Sequence, residues 1–593
     1  MNVSLAARLA FFFVAVALTG LALRLSGGWL ASIEARVGFN EEKFLGMTLL
    51  QACLIAQSLL CLVIALSSSC YRLLIEGQMP RLANNFEGNS YLSRRQTFIC
   101  LAVITMIALI LRVFNLNSCL WLDEISPLTF YRDTPAAELF TNYYSTNLHL
   151  LNTLLVKLSI SAFGEHEWAV RLPAMLFGTA TVPAIYWTAR LALSREASLS
   201  AALITALSYH HIFFSQNARG YSAYVFFSLL TIGFFMRALA ADRLSLWIGY
   251  ASMSMLNFAS LMASVLVFLS QSIVAVLAFA VVRLKPDTAN MKIAAIRLTF
   301  VFSLISLSGV QLYAMVIPQA IAVMQRTYHD PSAGYFLFST DFISEVMRGI
   351  KEALQGINSP IFPLLILIGL VVGFIGVYLL YRRHYALTLC LVLPNLLLTI
   401  FILTERMVVY PRFFILGLPL ASMILALLAE DLAAMLSKRL ELIHGLKFAR
   451  LSRLSFQSMV VLLMVLPSAL ALPPYYARPK QDYFGAVQFL KPRRAIGYVI
   501  VALYHAEEGF SYYARRAGLK LDDDFFLVRS LDKFDQILKR SGQDKILLVT
   551  TFPRSLVLDH PEIKEKIEKS WKVGKVFSGT IGGGDICVWF PVQ

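Results

Sequence analysis

Two adjacent carboxylates, Asp123 and Glu124, follow a long apolar run in the stretch "SCLWLDEISP" at 118–127. A carboxylate held next to a reacting group can take a proton from an incoming hydroxyl. Helix capping or solvation at the end of a span explains such a pair equally well from spacing alone, because carboxylates in structural networks are also perturbed. The residues expected near the pair therefore decide which chemistry it is suited to.

Several cationic and polar side chains fall in segments that we expect on the same side of a membrane as this pair. They are His149, Arg219, Tyr221, Arg326, Arg406 and Arg412. Arginine can bind phosphate oxygens with two N–H donors at once. Arginines beside carboxylates, reached from a bilayer, predict a substrate that carries a phosphate on a lipid tail.

The composition indicates a polytopic helical membrane protein. Of the 593 residues, 58% are hydrophobic and 15% are charged, whereas about 25% are charged in an average soluble domain. Apolar runs of roughly 20 residues can cross the hydrocarbon core, and we predict about thirteen of them. These runs lie near 7–27, 47–68, 97–115, 168–190, 197–214, 222–240, 245–259, 263–282, 298–318, 360–381, 386–403, 412–430 and 456–473.

The basic residues predict the orientation of the chain. The net charge is +16, but the basic residues are dispersed among short loops, which argues against a nucleic-acid partner. Their clusters fall on one side if there are thirteen spans and a cytoplasmic amino terminus. The segment 147–164 carries Lys157 in mid-run and is interpreted as an amphipathic helix at the interface. The loop 116–167, the turn around Asn257 and everything after 473 then lie on the far side.

The composition changes again at "ALPPYYARPKQDYFGAVQFL", where Pro, Lys and Asp replace the apolar runs. The short β-branched runs "AIGYVIVALY" and "KILLVTTF" alternate with helical patterns after this point. This alternation predicts a small α/β domain outside the membrane. "IGGGD" at 581–585 is interpreted as a hairpin turn, because no helix pattern follows it.

Five stretches, taken in order and spacing, resemble glycosyltransferase family 39 of the GT-C superfamily. They are "LWLDEISP", "NLHLLNTLLVKLSISAFGEHEWAVRLPAMLFGTATVPAIYWTARLAL", "SQNARGYSAYVFFSLL", "YPRFFILGLPLASMILALLA" and "PKQDYFGAVQFL". That family includes protein O-mannosyltransferases and the aminoarabinose transferases that modify lipid A. The likeness covers about residues 97 to 500.

The resemblance implies a GT-C fold and an enzyme that takes a sugar from a polyprenyl-phosphate carrier on the outer or luminal face. Asp123 matches the acidic residue on the family's first long loop. It is therefore expected to be the general base that deprotonates an acceptor hydroxyl for direct, inverting displacement at the anomeric carbon. Glu124 is expected to support or share that catalytic role.

The resemblance also implies contacts with the carrier phosphate. Arg412 in "YPRFF" is the leading candidate, and Arg219 in "NARGYS" lies on a loop that faces the family's cavity. Arg326 and Arg406 join this phosphate-binding set on side and charge alone.

Substrate contacts are expected from three further residues. Tyr221 follows Arg219 on the cavity loop, and His149 stands at the start of the interfacial helix. Asn257 stands where family members often have a histidine. A proline pair that often precedes the family's interfacial helix is replaced by "STNLHLL".

Other charged residues are assigned no chemistry. Arg171 in "WAVRLP" matches the family pattern and is expected to form a structural ion pair with Glu165 or Glu167. The scattered acidic residues form no metal-ligand cluster and family-39 enzymes are generally metal-independent, so neither a metal nor a cofactor is expected.

The predicted organisation has three parts. Residues 1–95 form two additional transmembrane helices and a basic cytoplasmic loop, residues 96–473 form the GT-C catalytic membrane domain, and residues 474–593 form a periplasmic α/β domain. The predicted location is the bacterial inner membrane.

The leading function is a polyprenyl-phosphate-sugar-dependent glycosyltransferase. Its expected partners are the lipid-linked donor, a glycan, glycolipid or protein acceptor, and the bilayer. The alternatives are a glycan ligase or polymerase, or a polytopic transporter or flippase. A transporter typically places charges at mid-bilayer and shows repeated halves, which this sequence does not.

Overall fold

The computed structural model describes residues 3–25, 41–83, 90–143, 148–283, 290–328, 362–405, 411–444, 446–553, 556 and 560–592. Within these ranges the chain is helical as far as residue 495, and one small sheet follows.

The first part of the chain, up to the loop that carries the carboxylates, is a set of apolar helices. They are α1 (Val3–Leu25), α2 (Glu41–Leu66), α3 (Ser68–Tyr71), a π-helical turn (Arg72–Glu76) and α4 (Arg94–Val113). Helix α1 packs along α2.

The central part continues as helices of very different length. They are α5 (Leu122–Tyr131), a 3-10 turn (Ala136–Phe140), α6 (Leu150–Phe163), α7 (Glu167–Ala189), α8 (Arg195–Leu207), α9 (Tyr209–Ser215), α10 (Tyr221–Ala241), α11 (Leu244–Ser260), α12 (Ser264–Arg283), α13 (Met291–Tyr313), α14 (Ile317–Tyr328), α15 (Phe362–Thr404), a 3-10 turn (Pro411–Phe414), α16 (Gly417–His444) and α17 (Leu446–Tyr476). Side-chain amides of Gln57 in α2 and Gln311 in α13 are hydrogen-bonded at 2.8 Å, so the amino-terminal helices are attached to this central part.

Ten helices of the described ranges are long and apolar enough to cross a membrane, or eleven if the bent pair α8 and α9 is one span. Two further predicted spans coincide with α11, which has 17 residues, and with the second half of α15. Helix α15 is broken at His384 (φ −158°, ψ 84°), and 43 helical residues are about twice what a bilayer core requires. The polytopic helical fold class is confirmed, and the count of thirteen remains a prediction.

The bend of 60° between α8 and α9 is stabilised by a buried arginine from α4. Arg112 donates to the carbonyls of Ala206 (3.1 Å) and Thr205 (3.4 Å), which end α8, and its Nη2 lies 2.7 Å from His211 Nδ1 in α9. A cation is favourable at the carboxyl end of a helix, where the last carbonyls have no helical donor. The broken span leaves the loop 216–220 directed towards α5.

Helix α6 corresponds to the predicted interfacial helix. It has 14 residues, which is too short to span a bilayer. Its Lys157 donates to the carbonyls of Tyr131 (2.6 Å), Arg132 (2.8 Å) and Thr134 (2.6 Å). The charge that interrupts this apolar run therefore caps the carboxyl end of α5.

The carboxyl-terminal part is an α/β unit, as predicted. Its elements are α18 (Tyr483–Ala495), β1 (Val499–Leu503), α19 (Ala506–Arg516), β2 (Phe525–Val528), α20 (Leu531–Ser541), β3 (Ile546–Thr550), α21 (Pro561–Ser570), β4 (Trp571–Phe577) and β5 (Ile586–Pro591). The sheet order is β2-β1-β3-β5-β4, with β1 parallel to β2 and β3, and β5 antiparallel to β3 and β4. The predicted turn at 581–585 is confirmed as part of the β4–β5 hairpin.

The α/β unit shares its apolar core with the carboxylate-bearing segment. Leu120, Ile125 and Leu128 lie in one buried cluster with Tyr483 of α18 and Phe510 of α19. Helix α19 packs against α5. The unit therefore does not stand apart from the membrane helices but packs directly on α5.

Candidate active site

The carboxylates lie in the first turn of α5, where the helix dipole favours negative charge. Pro127 lies inside the helix and has no N–H, so the carbonyl of Asp123 lacks its helical donor. Arg219 Nη1 lies 3.4 Å from that carbonyl oxygen. The sequence of α5 thus leaves an acceptor open for the loop that follows α9.

Asp123 faces two arginines. Its Oδ2 lies 2.8 Å from Arg219 Nη1 and 3.6 Å from Arg412 Nη1. The Asp123 side chain is 17% exposed and that of Arg412 is 29% exposed, whereas Arg219 is buried. The structure therefore brings together three of the predicted site residues, from α5, the loop before α10 and the 3-10 turn before α16.

Glu124 points away from solvent into a buried ion pair. Its Oε1 accepts from Arg171 Nε and from the backbone N–H of Ala218, both at 2.8 Å, and its Oε2 accepts from Arg171 Nη2 at 2.6 Å. Burial raises the pKa of this carboxyl, but Arg171 and Lys480 together lower it to about 2. The Glu124 side chain is inaccessible to solvent, unlike that of its neighbour Asp123.

Arg171 corrects one expectation from the sequence. It pairs with Glu124, whereas Glu165 pairs with Arg132 and Glu167 pairs with Arg516, each at 3.2 Å. Arg171 is nearly inaccessible, and a buried charge is stabilised by a hydrogen-bonded partner of opposite charge.

The remaining donors of Arg171 bind the chain ahead of α5. Arg171 Nη1 donates to the carbonyls of Leu116 (2.9 Å) and Ser118 (2.7 Å), and Nη2 donates to the carbonyl of Cys119 (3.0 Å). One side chain therefore holds both Glu124 and the backbone that leads into α5.

The loop after α9 is bonded to the N-cap residue of α5 and to α6, and it packs closely on the end of α11. Asn217 Oδ1 accepts from Trp121 Nε1 at 3.2 Å, and the carbonyl of Ala218 accepts from Asn152 Nδ2 at 2.9 Å. Gly220 allows a close approach, because a Cβ there would lie 2.2 Å from the carbonyl oxygen of Ser260. These contacts fix the position from which Arg219 reaches Asp123.

His149 and Tyr221 both contact Arg219. Arg219 Nε donates to His149 Nε2 at 3.0 Å, and its guanidinium carbon lies 5.6 Å from the Tyr221 ring centroid. Burial and the charges of Arg219 and Arg412 lower the pKa of His149 well below its ordinary value. A neutral imidazole can accept this hydrogen bond, so His149 orients Arg219.

Lys480 is a residue of this site that was not among those predicted from the sequence. It is buried, its Nζ lies 4.0 Å from Glu124 Oε1 and 4.9 Å from the Phe213 ring centroid, and it donates to the carbonyl of Gln216. Burial lowers the pKa of Lys480, Glu124 raises it and Arg171 lowers it. The net result is a pKa of about 7. Only its place in the stretch "PKQDYFGAVQFL" pointed towards it.

The other predicted residues do not join this cluster. Asn257 is buried inside α11 and is hydrogen-bonded to Ser228 of α10 at 3.2 Å, so it lies within a helix and not in the turn where the sequence placed it. The side chain of Arg326 and the whole of Arg406 lie outside the described residues. In the described part of the chain, no group of three or more His, Cys, Asp or Glu side chains is arranged to hold a metal ion.

The arrangement has the parts needed for a displacement on a phosphate-bearing substrate. One carboxylate is partly exposed beside two arginines, and the neighbouring carboxylate accepts a hydrogen bond from the backbone N–H of Ala218, next to Arg219. Such a site can accept a proton at Asp123 and neutralise an anion at Arg219 and Arg412.

A comparison with known families supports the resemblance. The family model described as dolichyl-phosphate-mannose-protein mannosyltransferase matches residues 150–324, which is less than half of the chain. The match confirms the resemblance to family-39-like glycosyltransferases over this part. It includes Arg171, Arg219 and Tyr221, whereas Asp123 and Arg412 lie outside it. No curated protein matches the sequence.

Some solved structures share a weak similarity with the chain. The apo oligosaccharyltransferase of Archaeoglobus fulgidus gives a TM-score of 0.47 at 12% identity, over 79% of this chain and 71% of that chain. Apo ArnT from Cupriavidus metallidurans gives 0.46 at 10% identity, over 83% and 97%. The same ArnT bound to undecaprenyl phosphate gives 0.45 at 12% identity, over 84% and 98%. At these values no feature of this chain's chemistry follows from them.

Proposed function

We propose that the protein is an inverting glycosyltransferase that moves a sugar from a polyprenyl-phosphate carrier to an acceptor hydroxyl. The acceptor belongs to a glycolipid, a polysaccharide or a protein, and the reaction takes place at the periplasmic face of a bacterial inner membrane. The observation that carries the proposal is the position of Asp123, whose Oδ2 lies 2.8 Å from Arg219 and 3.6 Å from Arg412. The match to a mannosyltransferase family model supports the reaction class.

In the proposed reaction Asp123 takes the proton of the acceptor hydroxyl as its oxygen attacks the anomeric carbon. The bond from that carbon to the carrier phosphate breaks, and its electron pair leaves with the phosphate oxygen. Arg219 and Arg412 stabilise the charge on the leaving phosphate, because preorganised donors in a partly dry site are effective without reorganisation. Attack and departure on opposite faces invert the anomeric centre.

The two carboxylates receive different roles in this proposal. Asp123 is partly exposed and can meet a hydroxyl, whereas the Glu124 side chain is inaccessible and held by Arg171. Glu124 therefore acts by positioning, since it binds the backbone N–H of Ala218 next to Arg219. Asp123 alone is proposed as the base.

The test uses the purified full-length protein in nanodiscs with a panel of radiolabelled polyprenyl-phosphate sugars and membrane extract as acceptor. Wild type is compared with Asp123→Asn and with the matched control Asp133→Asn, whose carboxylate is 79% exposed at the end of α5. We expect transfer from one donor, lost by about 100-fold or more in Asp123→Asn, as for removal of a general base. The control should retain the wild-type rate.

Two results would contradict separate parts of the proposal. Full activity in folded Asp123→Asn would remove the assignment of the base but leave the enzyme class intact. A wild-type protein that consumes no polyprenyl-phosphate sugar, and instead joins or moves a preassembled lipid-linked glycan, would identify a ligase or a flippase.

A further inference from the structure

The chain that leads into α5 obtains its hydrogen-bond acceptors from the carboxyl-terminal unit. Trp121 is the N-cap residue of α5 and offers no side-chain acceptor, so the first helical N–H groups need partners from elsewhere. The N–H of Leu122 donates to Gln481 Oε1 at 2.9 Å, and the N–H of Leu120 donates to Tyr513 Oη at 2.7 Å. Both acceptors lie more than 350 residues further along the chain.

Gln481 connects α5 to two parts of the sheet. Its Nε2 donates to Thr551 Oγ1 at 3.1 Å, just after β3, and lies 3.3 Å from the carbonyl of Gly584 in the β4–β5 hairpin. The Gln481 residue is fully buried. One amide side chain therefore joins the amino end of α5, the end of a central strand and a hairpin loop.

Tyr513 provides a second connection from α19. Its hydroxyl accepts a hydrogen bond from the N–H of Leu120. The same hydroxyl donates to Glu167 Oε1, at the start of α7, at 3.2 Å. The apolar residues Leu120 and Ile125 complete the contact, because they share a buried core with α18 and α19. The approach to α5 is thus held on its carbonyl side by Arg171 and on its amide side by the carboxyl-terminal unit.

We propose that Gln481 and Tyr513 are positioning residues, through which the carboxyl-terminal α/β unit caps α5 and fixes the direction of Asp123. The inference rests on the proposed function, in which Asp123 is the base. A unit that only covered the cavity or received an acceptor would not need to bond the backbone N–H next to the base. Misplacement of a reacting group by about 1 Å can cost roughly 100-fold in rate, so a cap at this point controls catalysis.

The first test measures transfer by the full-length protein in nanodiscs. Gln481→Met keeps the approximate side-chain volume and removes all three hydrogen bonds of the amide. Gln543→Met is the matched control, because Gln543 is exposed and its side chain donates to the nearby carbonyl of Ser570 at 3.4 Å. We expect kcat to fall about ten-fold in Gln481→Met, in line with a lost helix cap of ~1.4 kcal/mol. The donor KM should change by less than about two-fold, because Arg219 and Arg412 still bind the phosphate.

The second test is hydrogen–deuterium exchange of the same proteins, which needs no activity. Gln481→Met should accelerate exchange in a peptide covering 118–126 and leave β1 unchanged, whereas Gln543→Met should change neither. Tyr513→Phe removes only one hydroxyl and should accelerate exchange of the same peptide, so it serves if Gln481→Met does not fold.

The outcomes separate this inference from the proposed function. Unchanged exchange at 118–126 in both variants overturns the capping role, whatever the protein transfers. Faster exchange with wild-type kcat also overturns it, because the cap would then not position the base. Faster exchange in a protein that consumes no polyprenyl-phosphate sugar leaves the cap established and refutes the proposed function.

Discussion

Removing the charge of Glu124 should mainly lower the stability of the protein, whereas removing the charge of Asp123 should mainly lower its transfer activity. Glu124→Gln preserves the shape of the side chain but leaves the guanidinium of Arg171 buried without a carboxylate, next to the ammonium of Lys480. The Arg171 and Glu124 side chains are 1% and 0% exposed, so solvent cannot compensate. We therefore expect Glu124→Gln to act mainly on stability.

The size of the effect follows from the bonds that are lost. Arg171 makes two charge-assisted bonds to Glu124, at 2.8 Å and 2.6 Å, and each such bond is worth about 1.5–3 kcal/mol. Removing one partner of a buried pair costs about 3–5 kcal/mol, which is the same range. Asp123→Asn should cost less, about 1 kcal/mol, because ion pairs of partly exposed side chains contribute little to stability.

The assay is a denaturant titration of the purified protein in detergent, with transfer activity measured on the same samples. Glu124→Gln should show the large loss of unfolding free energy, together with a lower rate, because the N–H of Ala218 beside Arg219 loses its carboxylate acceptor. Asp123→Asn should show nearly wild-type stability with no transfer.

A reversed order of the two stability losses would contradict these roles of Asp123 and Glu124. A Glu124→Gln protein that unfolds within about 1 kcal/mol of wild type would mean that the pair with Arg171 is not a buried structural bond. An Asp123→Asn protein that is the less stable of the two would mean that its carboxylate, and not Glu124, holds the site together.

Three further results are expected. Gly220→Ala should lower both stability and kcat, by about 1–3 kcal/mol for the unfolding free energy, because overpacking against Ser260 must displace the loop; a thermal midpoint and rate equal to wild type would contradict the close approach. The unfolding free energy of wild type should rise between about pH 7 and 10.5, since the unfolded chain keeps the Lys480 proton longer than the folded one. Lys480→Met should show less of this rise in the same titration, and an identical pH profile would show that Lys480 is not buried as an amine. Arg412→Met should raise the donor KM about ten-fold, the value of one charge-assisted bond to phosphate, whereas Arg382→Met, an exposed residue in α15, should leave KM unchanged.

Much of the fold could be predicted because apolar length and β-branching are local signals. The long apolar runs, the short helix with Lys157 and the strands of the α/β unit all lie where the sequence indicated. Helix α15 shows the limit of such signals, since its two predicted spans form one helix with a break at His384. Hydropathy measures how apolar a segment is and not where its axis bends.

The sequence predicted which residues belong to the site but not which of them form ion pairs with one another. Asp123, Arg219 and Arg412 were selected and lie together. The partner of Arg171 was not predictable, because Glu165 and Glu167 are much nearer in sequence than Glu124, and both already have other arginines in the structure.

The contribution of the carboxyl-terminal unit was also beyond the reach of the sequence. The buried amide of Gln481 is bonded to a helix 359 residues earlier. No periodicity or motif in the sequence around Gln481 predicts that partner. Its effect depends on tertiary packing, which only the folded chain reveals.

The capping of α5 by Gln481 also bears on how the protein is made. A ribosome adds roughly 5–20 residues per second, so the 359 residues between Leu122 and Gln481 correspond to about 20 to 70 seconds of synthesis. Throughout that time the acceptor for the first N–H of α5 does not yet exist. A nascent chain therefore lies in its membrane without this cap, and under the proposed function it would transfer sugar more slowly until the α/β unit has folded.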